Sequence, residues 1–132
     1  MRDILFKAKD VQSGEWIEGL LVITKEEYSN EIYYAIFEKE SEHVCMGEYK
    51  DNGHYQIDPN TICQFTGLKD KNGNKIWEND IVRLDEDLYI ITWEEDDAMF
   101  ALEDVGIVEH FSNVDSKWCE VIGNKFDNPE LV

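Results

Sequence analysis

The chain has little proline, few basic residues and no long apolar run. Only two of its 132 residues are proline, and no stretch is of low complexity. No apolar run approaches the roughly 18 residues that a membrane-spanning helix needs. The first ten residues carry a charge every few positions, so they lack the apolar centre of a secretory signal. The sequence therefore predicts a protein that stays in the cytoplasm.

Basic residues are scarce relative to acidic ones. Twelve Lys and Arg stand against thirty Asp and Glu, which gives a net charge of -18. Direct binding to nucleic acid or to an anionic membrane depends on Lys and Arg facing phosphates, so neither is expected. An acidic surface can serve solubility, attract a basic protein, or imitate DNA. All three explanations of the charge stay open at this point.

The chain also lacks the sequence motifs of catalytic and metal sites. Its three cysteines, Cys45, Cys63 and Cys119, are odd in number and form no C-x-x-C pair, so neither a zinc site nor a redox site is predicted. The H-E-x-x-H, phosphate-loop, nucleophile-elbow and dinucleotide-binding motifs are likewise missing from the sequence. We predict no catalytic residue, no cofactor and no metal.

What the sequence does contain is a succession of short apolar runs rich in aromatic and β-branched residues. They predict strands at residues 4–9, 15–24, 31–38, 43–49, 54–58, 81–84, 88–93, 98–102, 107–111 and 117–123. The runs at 81–84, 88–93 and 98–102 are so closely spaced that they must form an antiparallel meander. Asn52-Gly53 predicts a type I′ turn, and Asn128 with Pro129 predicts a final helical turn.

The predicted fold class is mainly β, with antiparallel hairpins and meanders and little helix. Residues 1–132 suit one domain, although two small β lobes, about 1–60 and 61–132, remain an alternative.

The stretch GLKDKNGNKIWENDIV can be interpreted as a calcium loop or as a β-hairpin. A calcium loop that begins at Asp70 needs Gly at its sixth position and Glu at its twelfth, where this chain has Lys75 and Ile81. The hairpin interpretation fits every residue if Asn72 and Gly73 are the two positive-φ residues of a type I′ turn. The sequence therefore predicts a corner in a sheet.

A second group of residues combines aromatic side chains with consecutive carboxylates. Tyr89 and Trp93 share a strand face with Ile91, where aromatic residues either fill a core or line a groove. The predicted hairpin loop that follows is strongly acidic. The predicted interaction surface consists of Tyr89, Trp93, Glu94, Glu95, Asp96 and Asp97.

An enzymatic alternative rests on three carboxylates near the ends of one predicted strand. Asp80, Asp85 and Asp87 could hold a divalent ion if their side chains converged, as in a metal-dependent hydrolase or a nucleotide-processing enzyme. Turn formation and solvation explain the same three residues without any catalysis.

Four segments of the chain resemble the YopX family of phage and prophage proteins. They are the opening ILFKAKDVQSGEWIEG, the segment IDPNTICQFTGL, the motif TGLKDKNGNKIWENDIV and the ending CEVIGNKFDNPELV. The motif residues are Gly67, Asp70, Asn72, Gly73, Trp77, Asn79 and Asp80. The family usually has glycine where this chain has Asn79, and Asn is the next-best residue for a positive φ.

The resemblance implies a mainly β protein of bacterial mobile elements that self-associates and has no established activity. Trp77 and Ile81 would anchor the motif in a small barrel-like lobe. We therefore predict a non-enzymatic accessory protein of a phage or prophage, a homo-oligomer in the bacterial cytoplasm that binds a basic host or phage protein. It would use no cofactor, and it would not bind nucleic acid or membrane directly.

Overall fold

The computed structural model of the protein describes residues 3–38 and 53–132. The predicted strand at 43–49, and Asn52 of the predicted turn at Asn52-Gly53, lie outside the described residues. Within them the chain is mostly antiparallel strand with little helix, so the predicted mainly β class is confirmed.

The described part has eleven strands, one short α-helix and two short 3-10 turns. The strands are β1 (Phe6–Lys9), β2 (Trp16–Lys25), β3 (Ile32–Glu38), β4 (His54–Gln56), β5 (Cys63–Lys69), β6 (Lys75–Trp77), β7 (Asp80–Leu84), β8 (Asp87–Glu94), β9 (Met99–Asp104), β10 (Ile107–His110) and β11 (Glu120–Asn124). The helix is α1 (Asn113–Trp118), and the 3-10 turns are Pro59–Thr61 and Pro129–Leu131.

The strands form two antiparallel sheets. Their orders are β4-β3-β2-β1-β5-β6 and β10-β9-β8-β7-β11. Neither sheet closes on itself within the described residues, so the predicted barrel-like lobe is not formed. The reason lies in the pairing, since closure of the second sheet would require β10 to pair with β11. Instead β10 pairs with β9 and β11 pairs with β7.

The described chain divides into two compact units, Ile4–Gln64 and Phe65–Val132, the second joined by Asp3. In the unit Ile4–Gln64 the core consists of Ala8, Ile17, Ile36 and Ile57. Ala8 lies on β1, Ile17 on β2 and Ile36 on β3, and Ile57 follows β4 in an isolated bridge to Asp10.

The unit Phe65–Val132 has its own core around the second sheet. Its buried members are Ile76, Val82, Ile91, Leu102, Phe111 and Cys119. The predicted meander is confirmed, because β7 pairs with β8 and β8 pairs with β9, each antiparallel. The meander continues into β10, and α1 then returns the chain so that β11 lies beside β7.

The predicted strand at 117–123 is wrong in its first half. Residues up to Trp118 belong to α1, and the strand begins only at Glu120. Ser112 and Asp115 form a capping box: Ser112 Oγ accepts the Asp115 N–H at 3.3 Å, and Asp115 Oδ2 accepts the Ser112 N–H at 3.1 Å. This reciprocal cap starts a helix in spite of the β-favouring residues that follow.

The predicted helical turn near the end of the described chain is present as the 3-10 turn at Pro129. Asn128 precedes it, but its side chain does not cap that turn. The Asn128 Oδ1 accepts the N–H of Asn124 at 3.2 Å instead. This bond connects the last residue of β11 to the segment before the 3-10 turn.

Candidate functional site

The loop between β5 and β6 is a tight hairpin, but it is not the predicted type I′ turn. The Gly73 N–H donates to the Asp70 carbonyl at 3.0 Å, and the Asp70 N–H donates to the Asn74 carbonyl at 2.8 Å. Gly73 has φ 83, whereas Asn72 is not among the residues of positive φ. The loop is therefore a type I turn followed by a left-handed glycine. Asp at the first position favours type I because its side chain bonds to the turn amides.

The Asp70 carboxylate is the centre of this hairpin. Its Oδ1 accepts the N–H groups of Asn72 at 2.9 Å and Asn74 at 2.8 Å. Its Oδ2 accepts the Val121 N–H at 3.0 Å and the Asn74 side-chain amide at 3.4 Å. Asp70 is only 6% exposed. Burial by itself would raise the pKa of this carboxyl, but the hydrogen bonds from Val121, Asn74 and Asn72 outweigh burial and lower the pKa.

The second half of the motif forms another structural turn. Asn79 has φ 72, so it adopts the positive φ expected where the family has glycine. The Asn79 N–H donates to the Ile91 carbonyl at 2.7 Å, and the Asn79 carbonyl accepts the Lys125 N–H at 3.0 Å. Asp80 Oδ2 accepts the Trp77 N–H at 2.8 Å, and Asp80 is buried. These bonds join β6, β8 and the segment after β11.

The remaining motif residues shape and anchor the hairpin. Trp77 is buried and lies against Phe65, with ring centroids 5.4 Å apart. Gly67 has φ 87 and sits between Phe65 and Lys69, where the register of β5 against β6 shifts. The motif that the sequence singles out is thus a set of turn-forming and packing residues.

The three carboxylates of the enzymatic alternative are not gathered into one site. Asp80 lies at the start of β7, while Asp85 follows its end in the turn to β8, with φ 57. Asp87 is exposed at the start of β8. Across residues 3–38 and 53–132 there is no group of three or more His, Cys, Asp or Glu side chains placed to hold a metal ion.

The predicted interaction surface is divided between the two ends of β8. Trp93 is 43% exposed and meets Phe100 edge-on at 5.0 Å, and the acidic residues 95–97 after it are exposed. Tyr89 lies at the other end and packs against the core. Desolvation raises the pKa of Tyr89, and the nearby carboxylates of Asp87, Glu109, Asp104 and Asp85 raise it further.

The sequence predicts a strand where β10 lies, but it does not indicate that this strand is at the edge of a sheet. It forms one edge of the second sheet, and all four of its residues are exposed. Its apolar side chains are prominent, since Ile107 is 56% and Val108 is 48% exposed. The Phe111 N–H donates to the Phe100 carbonyl of β9. Because N–H groups along a strand point alternately to its two sides, those of Val108 and His110 point away from β9.

A groove of about 330 Å³ lies beside this edge, at the end of β8 and β9. Three separate segments contribute its lining. The lining residues are Leu88, Tyr89, Ile90, Glu103, Asp104, Val105, Leu131 and Val132. No local sequence signal reveals the groove, because residues 131–132 meet β8 and β9 only in the folded chain.

The fold and these sites define a mainly antiparallel β protein whose sequence motif builds turns and whose second sheet leaves an acidic, partly apolar edge exposed. This chain belongs to the YopX family, since the family model YopX protein matches residues 5–132. It is also similar to the crystal structure of protein EF1440 from Enterococcus faecalis, with 25% sequence identity, a TM-score of 0.61 and 99% of each chain covered. No curated protein matches the sequence significantly.

Among the helices that the structure describes, none has the length and apolar character needed to cross a membrane.

Proposed function

We propose that this chain is a non-enzymatic accessory protein of a phage or prophage, which binds a basic protein partner in the bacterial cytoplasm and self-associates. The observation that carries the proposal is strand β10, an edge strand with every residue exposed. Family membership supports the mobile-element origin, through the resemblance described above.

An exposed edge strand can accept another strand. In strand addition, main-chain hydrogen bonds supply affinity, and side chains at alternate positions supply specificity. The outward N–H groups of Val108 and His110 provide the donors. The half-exposed side chains of Ile107 and Val108, one on each face of the sheet, provide apolar contacts.

The charge around β10 selects the partner. Glu109 lies on the strand itself, and Glu103 and Asp104 lie opposite it on β9. Within a chain of net charge -18, these carboxylates favour a segment that carries Lys or Arg. The partner is therefore a basic, extended peptide segment, and added salt should weaken its binding.

Blocking the edge tests the proposal. The chain is immobilised and used to recover partners from a prophage-bearing host at low salt, with parallel columns of the variants Val108→Pro and Val108→Ala. Proline removes the outward N–H without removing a bond to β9, whereas alanine keeps it. A discrete partner should bind wild type and Val108→Ala, elute with moderate salt, and fail to bind Val108→Pro.

Two results would contradict the proposal. If Val108→Pro folds normally and retains the partner, strand addition at β10 is wrong. If the partner is a DNA-binding protein that double-stranded DNA displaces from every column equally, the acidic surface acts as a DNA mimic instead.

Self-association is tested by light scattering on the purified chain. Exposed strand edges provide a physical route to oligomers, and salt should strengthen association because it screens the repulsion between like-charged copies. We expect a mass above that of the 15.5 kDa monomer. A monomeric mass at every salt concentration would refute this part of the proposal.

A further inference from the structure

The two faces of the first sheet differ in the side chains that they carry. One face holds the buried core residues Ala8, Ile17 and Ile36. The residues that alternate with them point to the other face, which we call the Phe37 face. There Phe37 of β3 pairs with Leu20 of β2, and the two side chains are 37% and 57% exposed. Large apolar side chains are therefore open to solvent on the Phe37 face.

Aromatic rings lie in the middle of the Phe37 face. His54 of β4 pairs with Phe37, and their ring centroids are 4.6 Å apart. The ring centroid of Tyr33 lies 5.7 Å from that of His54. Leu20 and Val22 of β2 lie beside these rings, because the register pairs them with β3 residues of the same face. The middle of the face is thus aromatic and aliphatic.

The Phe37 face is basic at the end where β2 begins. Lys7 and Lys9 of β1 lie there, since they pair with Glu18 and Trp16 of β2. The ammonium groups of Lys7 and Lys9 are 4.5 Å and 5.4 Å from the centroid of the Trp16 ring. On β1 and β2, all of whose residues the structure describes, Glu18 is the one carboxylate on this face. The local balance is therefore positive, although the chain has a net charge of -18.

The opposite end of the Phe37 face is acidic. Just beyond β2 and β3, the Glu26 N–H donates to the Glu31 carbonyl at 2.9 Å. This bond continues the register in which Thr24 pairs with Tyr33, so Glu26 and Glu31 lie opposite each other on the Phe37 face. Like charges directly opposite each other destabilise a strand pair. A cationic group at this end would relieve the repulsion.

The order of basic, apolar and acidic zones makes the Phe37 face complementary to itself. Along β2, Trp16 lies in the basic zone, Leu20 and Val22 lie in the apolar zone, and Glu26 lies at the acidic end. At about 3.3 Å per residue, both charged ends are about 15 Å from a point between Leu20 and Val22. A two-fold axis across the strands at that point would place the basic end of each copy on the acidic end of the other, with the apolar zones in contact.

The dimensions of the face also suit two packed sheets. Lys7 and Lys9 lie on β1, one to two strands to the side of Glu26 and Glu31. A crossing angle of about 30° between the two sheets corrects this offset, and aligned sheets usually pack at that angle. The face measures about 33 Å by 15 Å, so the pair would bury on the order of 1,000 Å² in total, near the lower limit of a specific interface. Association should therefore be weak and depend on protein concentration.

We propose that the Phe37 face binds the Phe37 face of a second copy of this chain, with Lys7 and Lys9 of each copy at Glu26 and Glu31 of the other. The inference rests on the self-association in the proposed function, and it assigns that self-association to a surface other than β10. Capture of the basic partner at β10 is measured separately, so the two can fail independently.

A matched pair of substitutions on β2 tests the apolar zone. Leu20 and Ile23 are each 57% exposed, but they lie on opposite faces of the strand. Leu20→Glu and Ile23→Glu add the same charge, so general repulsion between copies changes equally. By sedimentation equilibrium we expect Leu20→Glu to raise the dissociation constant at least about tenfold, because it brings like charges together near the two-fold axis. Ile23→Glu should leave it within about threefold.

Charge reversal tests the two ends. Lys7→Glu with Lys9→Glu makes both ends of the face acidic, and Glu26→Lys with Glu31→Lys makes both ends basic. Each double variant alone should be monomeric, because both contacts of its pair then join like charges. A mixture of the two should form heterodimers, since each contact again joins opposite charges. Four charges removed from or added to -18 leave net charges of -22 and -14, so only local complementarity explains such attraction.

Urea melts identify which variants fold, and if Leu20→Glu does not fold, the charge variants decide. The inference is wrong if Leu20→Glu and Ile23→Glu weaken association equally, or if the mixed charge variants stay monomeric. Dissociation by Val108→Pro but not by Leu20→Glu would place self-association at β10 and would also overturn it. A wild type that is monomeric at every concentration would refute both the inference and the proposed self-association. If the Phe37 face pairs as expected while Val108→Pro retains the basic partner, the inference stands and the edge proposal fails.

Discussion

The Asp70 carboxylate accepts the backbone N–H of Val121 at 3.0 Å, across 51 positions of sequence. The same hairpin donates the Lys71 N–H to the Cys119 carbonyl at 3.1 Å. A loop that looks purely local in the sequence therefore fixes the start of β11. Because β11 pairs with β7, Asp70 connects the motif hairpin to the second sheet.

Replacing Asp70 should destabilise the protein more than straining the glycine of the same turn. Asp70→Ala leaves the half-buried Val121 N–H and two turn N–H groups without their acceptor, so we expect a loss of about 2–4 kcal/mol in the free energy of unfolding. Asp70→Asn, which keeps an acceptor oxygen, should lose less. Urea melts of wild type, Asp70→Ala and Asp70→Asn measure the differences in the free energy of unfolding.

The variant to compare with Asp70→Ala is Gly73→Val, which strains the glycine of the same turn. Gly73 has φ 83, but a Cβ placed there would meet nothing within 4 Å, so the cost is backbone strain of about 1–2 kcal/mol and no clash. Both variants should melt identically in calcium and in chelator. A loss at Asp70→Ala that appears only in the presence of calcium would revive the calcium-loop interpretation.

Asp70 should also give the protein an acid-sensitive component of stability. Its folded pKa lies below the ordinary value of 3.8, so the unfolded state binds the proton more tightly. The stabilisation is therefore fully present above about pH 4 and is lost as pH falls through the folded pKa. The difference in unfolding free energy between wild type and Asp70→Asn should be constant from pH 5 to 7 and shrink below the ordinary pKa. A difference that grows on acidification would contradict this assignment.

Thr92 offers a substitution that should stabilise the protein. Its hydroxyl oxygen is buried and, within the part of the chain that the structure describes, has no hydrogen-bond partner. Thr92→Val removes that unsatisfied atom at similar volume, and we expect a gain of about 1 kcal/mol in thermal or urea melts.

The control for this substitution is Thr66→Val. The Thr66 hydroxyl donates to the Ile76 carbonyl at 2.7 Å and accepts the Leu68 N–H at 3.2 Å. The same chemical change should therefore lose about 1–3 kcal/mol here. Equal effects at the two positions would show that the Thr92 hydroxyl is in fact satisfied.

Alkaline pH should weaken the fold through Cys119. Burial raises the pKa of its thiol from 9.0 to about 11, and the Asp70 carboxylate adds to the effect. Because the folded state holds this proton more tightly, its contribution is complete below pH 9 and is lost as pH rises toward 11. Relative to Cys119→Ala, wild type should lose roughly 2 kcal/mol of unfolding free energy over that interval. Parallel pH curves for the two proteins would refute the assignment.

The net charge of -18 should make stability depend on ionic strength. Repulsion between carboxylates destabilises the compact state, and salt screens it. We expect the melting temperature to rise from low to physiological salt, with sodium as effective as calcium at equal ionic strength. A large rise with micromolar calcium alone would indicate a specific metal site that the described residues do not show.

The strands and the hairpins were predictable because their signals are local. Runs of aromatic and β-branched residues mark β2, β3 and β8, and the acidic linkers in the meander are too short for any connection but an antiparallel one. The positive φ at Gly73 and Asn79 also follows from residue type alone. The turn type did not follow, because the Asp70 side chain favours a type I turn over the Asn-Gly signal for type I′.

The sequence by itself determined the mainly β class, the family, the excess negative charge and the positions of the main turns. These depend on periodicity, composition and backbone preference within a few residues. Only the tertiary structure decided that Asp70 holds Val121, that β11 returns to β7 and leaves β10 as an open edge, and that Leu131 and Val132 complete a groove on β8 and β9. Each of these links residues far apart in the chain, and their geometry depends on which strands pair, a choice that local propensities do not make.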